Sequence, residues 1–174
     1  MTKIFLASAI LLSLVALIRA ADPAKSDTNK TTSATYLITG LHCPPCTSTV
    51  ERSLSKAPGI HSIKVDWNTK NAKVEFDEST LPAQKVAQLI AATPHMMGPS
   101  MHYDSWLALK AADVKDDATA KAAKEALGKV AGVKKAEAFP AQHIVEIQFA
   151  SDGTATSAQL IEALASAGIH AENY

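Results

Sequence analysis

The chain has 174 residues, 17 Lys and Arg against 17 Asp and Glu, and so no formal net charge at pH 7. Without a basic stripe or a set of stacking aromatic residues, the sequence argues against nucleic acid as a partner. Two cysteines are too few for a disulfide scaffold. Because neither a catalytic Ser, His and Asp arrangement nor a phosphate-binding loop is visible, we predict a protein that is not an enzyme.

The N-terminal residues have the pattern of a signal peptide. Lys3 is followed by an apolar run over residues 4–18 and by small residues around Ala20. This run is short for a membrane span, which needs roughly 20 residues. We therefore predict a signal peptide over residues 1–20 and a periplasmic or secreted protein, with an uncleaved anchor as the alternative. Residues 21–34 are polar with little to bury, which predicts a disordered linker.

The two cysteines lie in the segment Gly40-Leu41-His42-Cys43-Pro44-Pro45-Cys46. It is flanked by a predicted strand over residues 35–39 and a predicted helix over residues 46–56, with Pro45 suited to the first helical position. The N–H groups and dipole at a helix N-terminus favour thiolate, the form that binds soft metals and attacks disulfides. A bridge within so short a loop would restrain the unfolded chain little. The pair is therefore predicted to be functional rather than structural.

The following residues predict a β-α-β-β-α-β series. Residues 60–67 and 72–76 alternate like the two strands of a hairpin around a polar turn. Residues 81–93 have a helical apolar face that ends at Pro94. A last strand over residues 101–104 would complete a ferredoxin-like unit.

The rest of the chain repeats this plan. Residues 56–60 correspond to residues 129–133, residues 74–76 to residues 147–149, and residues 87–90 to residues 158–161. We therefore predict an α+β protein with two tandem ferredoxin-like domains, at residues 35–104 and 105–174, each with its helices on one face of an antiparallel sheet. In the register that the first two matches share, Asp116 and Thr119 stand in place of the two cysteines.

The cysteine segment resembles the G-M-x-C-x-x-C motif of the heavy-metal-associated domain of copper chaperones, copper-ATPase N-terminal domains and periplasmic mercury-binding proteins. Gly40, Cys43 and Cys46 match, Leu41 replaces the usual Met, and the two prolines are less usual and should stiffen the loop. The resemblance covers residues 35–104, and more faintly 105–174, which would be a degenerate copy. It implies that Cys43 and Cys46 bind one soft cation and leave its remaining coordination open to a partner's thiols.

The chemistry of two thiolates agrees with this resemblance. A structural zinc site needs four ligands, whereas two soft ligands suit Cu(I) or Hg(II). We expect Cu(I), with Hg(II) as the close alternative. An open site also suits transfer, so the expected partner is a metal donor or acceptor protein such as a membrane transporter.

The loop over residues 94–102 contains further soft ligands. In a ferredoxin-like unit this loop lies at the same end of the sheet as the cysteine loop. We hypothesise that His95, with Met96 or Met97 second in line, supplies a third ligand or shields the ion. The alternative is a loop with its methionines packed on the core and a solvated histidine.

A thiol–disulfide oxidoreductase is the main alternative function, because C-P-P-C between a strand and a helix also occurs in exported thioredoxin-like proteins. Leu41 and His42 stand where such proteins normally have an aromatic residue, and the tandem repeat does not fit them. Metal binding is therefore favoured. For the second domain, the residues leave three roles open: docking a partner, pairing with a second copy, or stabilising the first domain.

Overall fold

The computed structural model describes residues 31–174, so the predicted signal peptide and most of the predicted linker lie outside the described residues. The elements in chain order are β1 (Thr31–Thr39), α1 (Pro44–Leu54), β2 (Ile60–Val65), β3 (Asn71–Asp77), α2 (Ala83–Ala91), β4 (Asp104–Ala111), α3 (Asp117–Leu127), β5 (Val133–Phe139), β6 (Ile144–Phe149), α4 (Ser157–Ser166) and β7 (Ala171–Asn173). Within residues 31–174, every helix is too short or too polar to cross a membrane.

The strands form one antiparallel sheet in the order β2-β3-β1-β4-β6-β5, with β7 also paired to β4. Strands β1 to β4 have the order β2-β3-β1-β4, and strands β4 to β7 repeat it as β5-β6-β4-β7. Both orders are those of a ferredoxin-like β-α-β-β-α-β series. We call the first series, β1 to β4, the first unit and the second series, β4 to β7, the second unit. Strand β4 belongs to both.

The prediction of two separate tandem domains is therefore not confirmed. Two complete units need eight strands, and the described part of the chain has seven. Of the last strand predicted for the first domain, residues 101–103 form no strand, and residues 104–111 form a single strand that serves as the last strand of one unit and the first of the next. Along one edge of β4, residues 104–108 pair with β1 and residues 109–111 pair with β7. One strand can thus serve both units because its two partners lie end to end.

The first strand also begins earlier than the composition indicated. Residues 31–34 were assigned to the linker, yet they are the first four residues of β1 and pair with β3. Ala34 is fully buried, and the backbone groups of residues 31–34 are paired with those of β3. The polar composition of this stretch concealed a strand because only alternate side chains need to be apolar.

The hydrophobic core is continuous across the two units. Tyr36 lies opposite Leu107, and Leu107 lies opposite Ile147, so the three buried side chains stand on one face of the sheet. They belong to the same core cluster as buried residues from all four helices, which therefore cover that face. On α1 the buried residues are Cys46, Val50 and Leu54, as the helical spacing indicates.

A buried glutamine on α2 joins the first unit to the second. The amide nitrogen of Gln84 donates to the carbonyl oxygens of Ala150 (3.0 Å) and Asp152 (2.6 Å). Its amide oxygen accepts from the N–H of Ala155 at 2.9 Å. Because Gln84 is fully buried and both its amide nitrogen and its amide oxygen are bonded across the boundary, the two units form one body.

Candidate metal site

The two cysteines occupy the N-cap and third positions of α1. Cys43 is the N-cap residue, with an extended backbone (φ −148°, ψ 148°), and Pro44, Pro45 and Cys46 are the first three helical residues. Side chains at the N-cap and third positions face each other at the start of a helix. The Cα atoms of Cys43 and Cys46 are 5.4 Å apart, and the two sulfur atoms are joined as a disulfide. Cys46 is fully buried and Cys43 is half-buried, so the pair has one accessible side.

The second unit uses the same two helix positions for a capping box. Asp116 is the N-cap residue of α3 and Thr119 is its third residue. The Asp116 carboxylate accepts from the Thr119 N–H at 2.8 Å, and the Thr119 hydroxyl accepts from the Asp116 N–H at 3.1 Å. On α1 no side chain caps the helix in this way. The first unit therefore has thiols where the second has the hydrogen-bonding pair.

The prolines change one part of the electrostatic prediction. Pro44 and Pro45 fill the first and second helical positions, so neither residue has an N–H group to offer a thiolate. The N–H of Cys46 donates to the Cys43 carbonyl oxygen at 3.0 Å. The expectation of several unpaired N–H groups beside the sulfurs is therefore wrong, and the helix dipole is the contribution that remains.

Gly40 is required by the path of the loop that precedes Cys43. Its φ of +85° is in the left-handed region, and a Cβ atom there would collide with the carbonyl oxygen of His102. The next residue, Leu41, is 7% exposed and belongs to the core, so an apolar residue is retained at this motif position. Glycine thus allows the loop before β4 to lie directly against the cysteine loop.

His95 holds these two loops together. Its Nε2 atom lies 2.9 Å from the carbonyl oxygen of Gly40, and its Nδ1 atom accepts from the Met97 N–H at 3.1 Å. Since a carbonyl oxygen only accepts, Nε2 carries the proton and the ring is the neutral Nε2–H tautomer. The side chain is 8% exposed. Both ring nitrogens are therefore occupied by the backbone.

The surroundings of His95 are the opposite of the alternative prediction, in which the methionines pack on the core and the histidine is solvated. Met96 and Met97 are 57% and 61% exposed, so the methionines face solvent and the histidine is buried. The His95 ring packs on Tyr103 (4.6 Å between centroids) and lies 5.7 Å from the exposed ring of His42. Burial raises the pKa of the Tyr103 phenol. The contacts of Gly40 and Tyr103 with His95 had no signal in the sequence.

Among residues 31–174, no three or more His, Cys, Asp or Glu side chains are arranged to hold a metal ion. The predicted ligands Cys43 and Cys46 are brought together by α1, whereas the predicted third ligand His95 lies in the adjoining loop and is engaged elsewhere. Once their disulfide is reduced, the two cysteines supply two thiols at the accessible start of a helix on a ferredoxin-like sheet, which is the arrangement of a soft-metal-binding module.

Comparison with known proteins agrees with this class. Residues 35–95 match the heavy-metal-associated domain. A mercuric transport protein periplasmic component from Shigella flexneri is 32% identical over 61 residues, which are 35% of this chain and 67% of that protein. Copper-transporting ATPase 2 from Rattus norvegicus is 38% identical over 53 residues, 30% of this chain and 4% of that protein. The chain belongs to the heavy-metal-associated domain family.

Coverage of these relatives is partial. Several other mercuric transport proteins of the same description are covered over 64% of their length, which is less than two thirds. Among solved structures, oxidized MerP from Ralstonia metallidurans CH34 aligns with a TM-score of 0.37 and 29% identity, over 44% of this chain and 94% of that one. The family assignment rests on residues 35–95, and residues 96–174 lie outside the matched domain.

Proposed function

We propose that the protein binds one soft metal ion, Cu(I) in the first place and Hg(II) as the alternative, through Cys43 and Cys46, and that it carries or sequesters this ion. The observation that carries the proposal is the placement of the two thiols at the N-cap and third positions of α1, with Cys43 partly open to solvent. Two soft ligands with free coordination positions suit an ion that is passed between proteins. The relatives include proteins named for mercuric and for copper transport, which supports a soft metal without selecting one.

His95 has a supporting role in this proposal. To bind the ion, either ring nitrogen would have to give up its hydrogen bond to Gly40 or Met97. Breaking such a buried bond leaves an unpaired polar group, at a cost of about 1–3 kcal/mol. We therefore propose that the main role of His95 is to hold the cysteine loop. The alternative role, a third ligand with Met96 or Met97 second in line, is tested by the His95→Ala variant below.

The location of the protein, its partner and the role of the second unit are part of the same proposal. Residues 1–20 have the pattern of an export signal, which supports a periplasmic or secreted protein. A donor or acceptor of the ion, such as a membrane transporter, is the expected partner. The second unit repeats the strand order without the thiols, which supports its description as a degenerate copy that docks a partner, pairs with a second copy or stabilises the first unit.

The experiment is an anaerobic competition for Cu(I) between the reduced protein and a chromophoric chelator. One equivalent should be withdrawn from the chelator by the wild type and none by Cys43→Ser/Cys46→Ser. The matched control is Asp116→Ser/Thr119→Ser, which changes the same two positions of α3 and should retain the equivalent. Binding that survives in the cysteine variant would refute the proposed ligands.

A His95→Ala variant separates the two roles of the histidine. If His95 supports the loop, the variant should unfold more easily while its reduced form still takes up one equivalent with an unchanged absorption spectrum of the bound ion. A changed spectrum together with a large loss of affinity would assign the ring to the ion instead.

The Cys43–Cys46 disulfide is the observation that favours the second candidate, thiol–disulfide exchange. A half-buried first cysteine with a buried second cysteine is an arrangement in which the first thiolate attacks and the second resolves. This candidate predicts an oxidising reduction potential, above about −200 mV, and oxidation of dithiol peptides. A protein that binds Cu(I) in the competition and lacks such a potential excludes it.

A further inference from the structure

An open cavity of about 590 Å³ lies in the second unit, at the end of the sheet opposite the cysteine loop. Strand β1 ends at the cysteine loop and runs antiparallel to β4, so the start of β4 lies near the cysteines and its end lies at the cavity. The polar residues of the lining are Lys110, Lys115, Gln142, His143, His170 and Glu172. Two imidazole side chains thus share one cavity.

The hydrogen bond of the first imidazole, that of His143, determines which ring nitrogen is available. The Nδ1 atom of His143 lies 2.9 Å from the carbonyl oxygen of Val114. A carbonyl oxygen only accepts, so Nδ1 carries a proton, and in the neutral ring Nε2 keeps its lone pair. The residue itself is exposed.

A carboxylate engages the second imidazole through the same ring nitrogen, Nδ1. The Nδ1 atom of His170 lies 2.8 Å from Oδ2 of Asp113, and the His170 backbone N–H donates to the same oxygen at 3.0 Å. These hydrogen bonds lower the pKa of Asp113, which keeps it an acceptor near neutral pH. A carboxylate that fixes a histidine through Nδ1 and leaves Nε2 free is the usual support of a metal-ligating histidine.

These residues lie on the loops of the second unit that correspond to the metal-site end of the first. The Ala111 N–H donates to the carbonyl oxygen of His143 (2.7 Å), and at the matching position of the first unit the Ile38 N–H donates to that of Lys70 (2.8 Å). His143 and Lys70 share a positive φ, 54° and 60°. Residues 143 and 170 are distant in the chain and line one cavity only through the sheet, so their spacing in the sequence does not indicate a pair.

We propose that His143 and His170 form a second metal site, independent of the cysteine pair, which takes a divalent ion that prefers imidazole, foremost Cu(II), with water in its remaining positions. The charges of the cavity permit a cation. The Lys110 ammonium lies 3.6 Å from a carboxylate oxygen of Glu172, and Lys115 is exposed, so its charged end can turn to solvent. The His170 side chain is 93% exposed, which makes the site readily accessible.

The test uses the oxidised protein, in which the disulfide withholds both thiols, and Cu(II) as the only probe. Calorimetric titration should give one equivalent, and the ring signals of His143 and His170 should broaden first in histidine-selective NMR spectra of the wild type. His143→Gln and His170→Gln should each weaken binding at least about tenfold, and Asp113→Asn, which acts through His170, on the order of 10–100-fold. The control His61→Gln, on an exposed position of β2, should bind as the wild type does.

Two results would overturn the second site. One is unchanged Cu(II) affinity in both histidine variants. The other, which needs no variant and so does not depend on their folding, is earlier broadening of His42, His61 or His102 than of the two cavity histidines. Neither outcome affects the Cu(I) competition at the cysteine pair, so this inference and the proposed function fail separately.

Discussion

Cys43 and Asp116 hold the same position, the N-cap of the first helix in their unit. The third helical position is equivalent as well, with Cys46 in one unit and Thr119 in the other. The backbone that lets an aspartate and a threonine cap each other therefore also brings two thiols together. The metal binding proposed for the first unit uses a geometry that helices adopt for their own stability.

This equivalence predicts that a second thiol pair can be introduced. Asp116→Cys/Thr119→Cys should raise the Cu(I) stoichiometry of the reduced protein from one equivalent to two, because the N-cap and third positions of α3 face each other as those of α1 do. The measurement is the anaerobic chelator competition. The same variant should have a lower melting temperature, since it loses the capping box. A stoichiometry that stays at one in a folded variant would contradict the equivalence.

Gly40 predicts a steric requirement at the cysteine loop. Gly40→Ala meets both an unfavourable φ of +85° and the His102 carbonyl oxygen, so it should lower the free energy of unfolding by about 3 kcal/mol or more. Gly98→Ala is the matched control, because Gly98 also has a positive φ (+118°) but nothing within 4 Å of the new Cβ. It should cost about 1 kcal/mol. Equal losses in urea unfolding would show that the collision with His102 is unimportant.

Gln84 predicts that the two units unfold together. Gln84→Leu leaves the carbonyl oxygens of Ala150 and Asp152 and the N–H of Ala155 without their partner, and should destabilise the protein by about 3 kcal/mol. Gln88→Leu, one turn later on α2, should change stability by less than about 1 kcal/mol. Its amide nitrogen is without a hydrogen-bond partner among residues 31–174, and its amide oxygen accepts from the Lys85 ammonium (2.9 Å), which can turn to solvent. Urea unfolding of the wild type should show one transition. Two separate transitions would mean that β4 and Gln84 do not couple the units.

The hydrogen bonds of Asp116 predict that this residue contributes to the loss of stability at low pH. Hydrogen bonds from Thr119 lower the pKa of Asp116 in the folded protein, so its stabilising effect is present above the unfolded value of about 3.9 and is lost as pH falls through the lower folded pKa. Asp116→Asn keeps a good N-cap that does not titrate in this range. Its melting temperature should therefore fall less than that of the wild type on acidification. Asp117→Asn, which removes the neighbouring charge and leaves the capping box intact, should follow the wild type; parallel curves for all three proteins would refute the assignment.

Local patterns in the sequence were sufficient for most elements of the fold. The hairpin of β2 and β3 lies at the residues that the alternation predicts, and the buried stripe of α1 contains Cys46, Val50 and Leu54. The register of the sequence repeat relates Cys43 to Asp116, and both are N-cap residues. These features depend on neighbours in sequence or on a constant spacing between matching segments, and both can be read without knowledge of the sheet.

The remaining features depend on contacts between distant residues. The sequence does not indicate that β4 belongs to both units. Two short strands in succession have the same composition as one long strand with two partners along one edge. The burial of His95 depends on the carbonyl oxygen of Gly40, which is far from it in the chain. Soft-ligand composition and the predicted place of its loop beside the cysteine loop made that residue a candidate ligand, while its hydrogen bonds make it a support of the loop.

Metal binding by the cysteine pair is tested most directly by X-ray absorption spectroscopy at the copper edge on the reduced protein loaded with one equivalent of Cu(I). If Cys43 and Cys46 hold the ion while His95 remains bonded to Gly40, the first shell should contain two protein sulfur atoms and no imidazole nitrogen. The spectrum should be the same for His95→Ala. A first shell of nitrogen ligands, or one that is unchanged in Cys43→Ser/Cys46→Ser, would contradict the central claim.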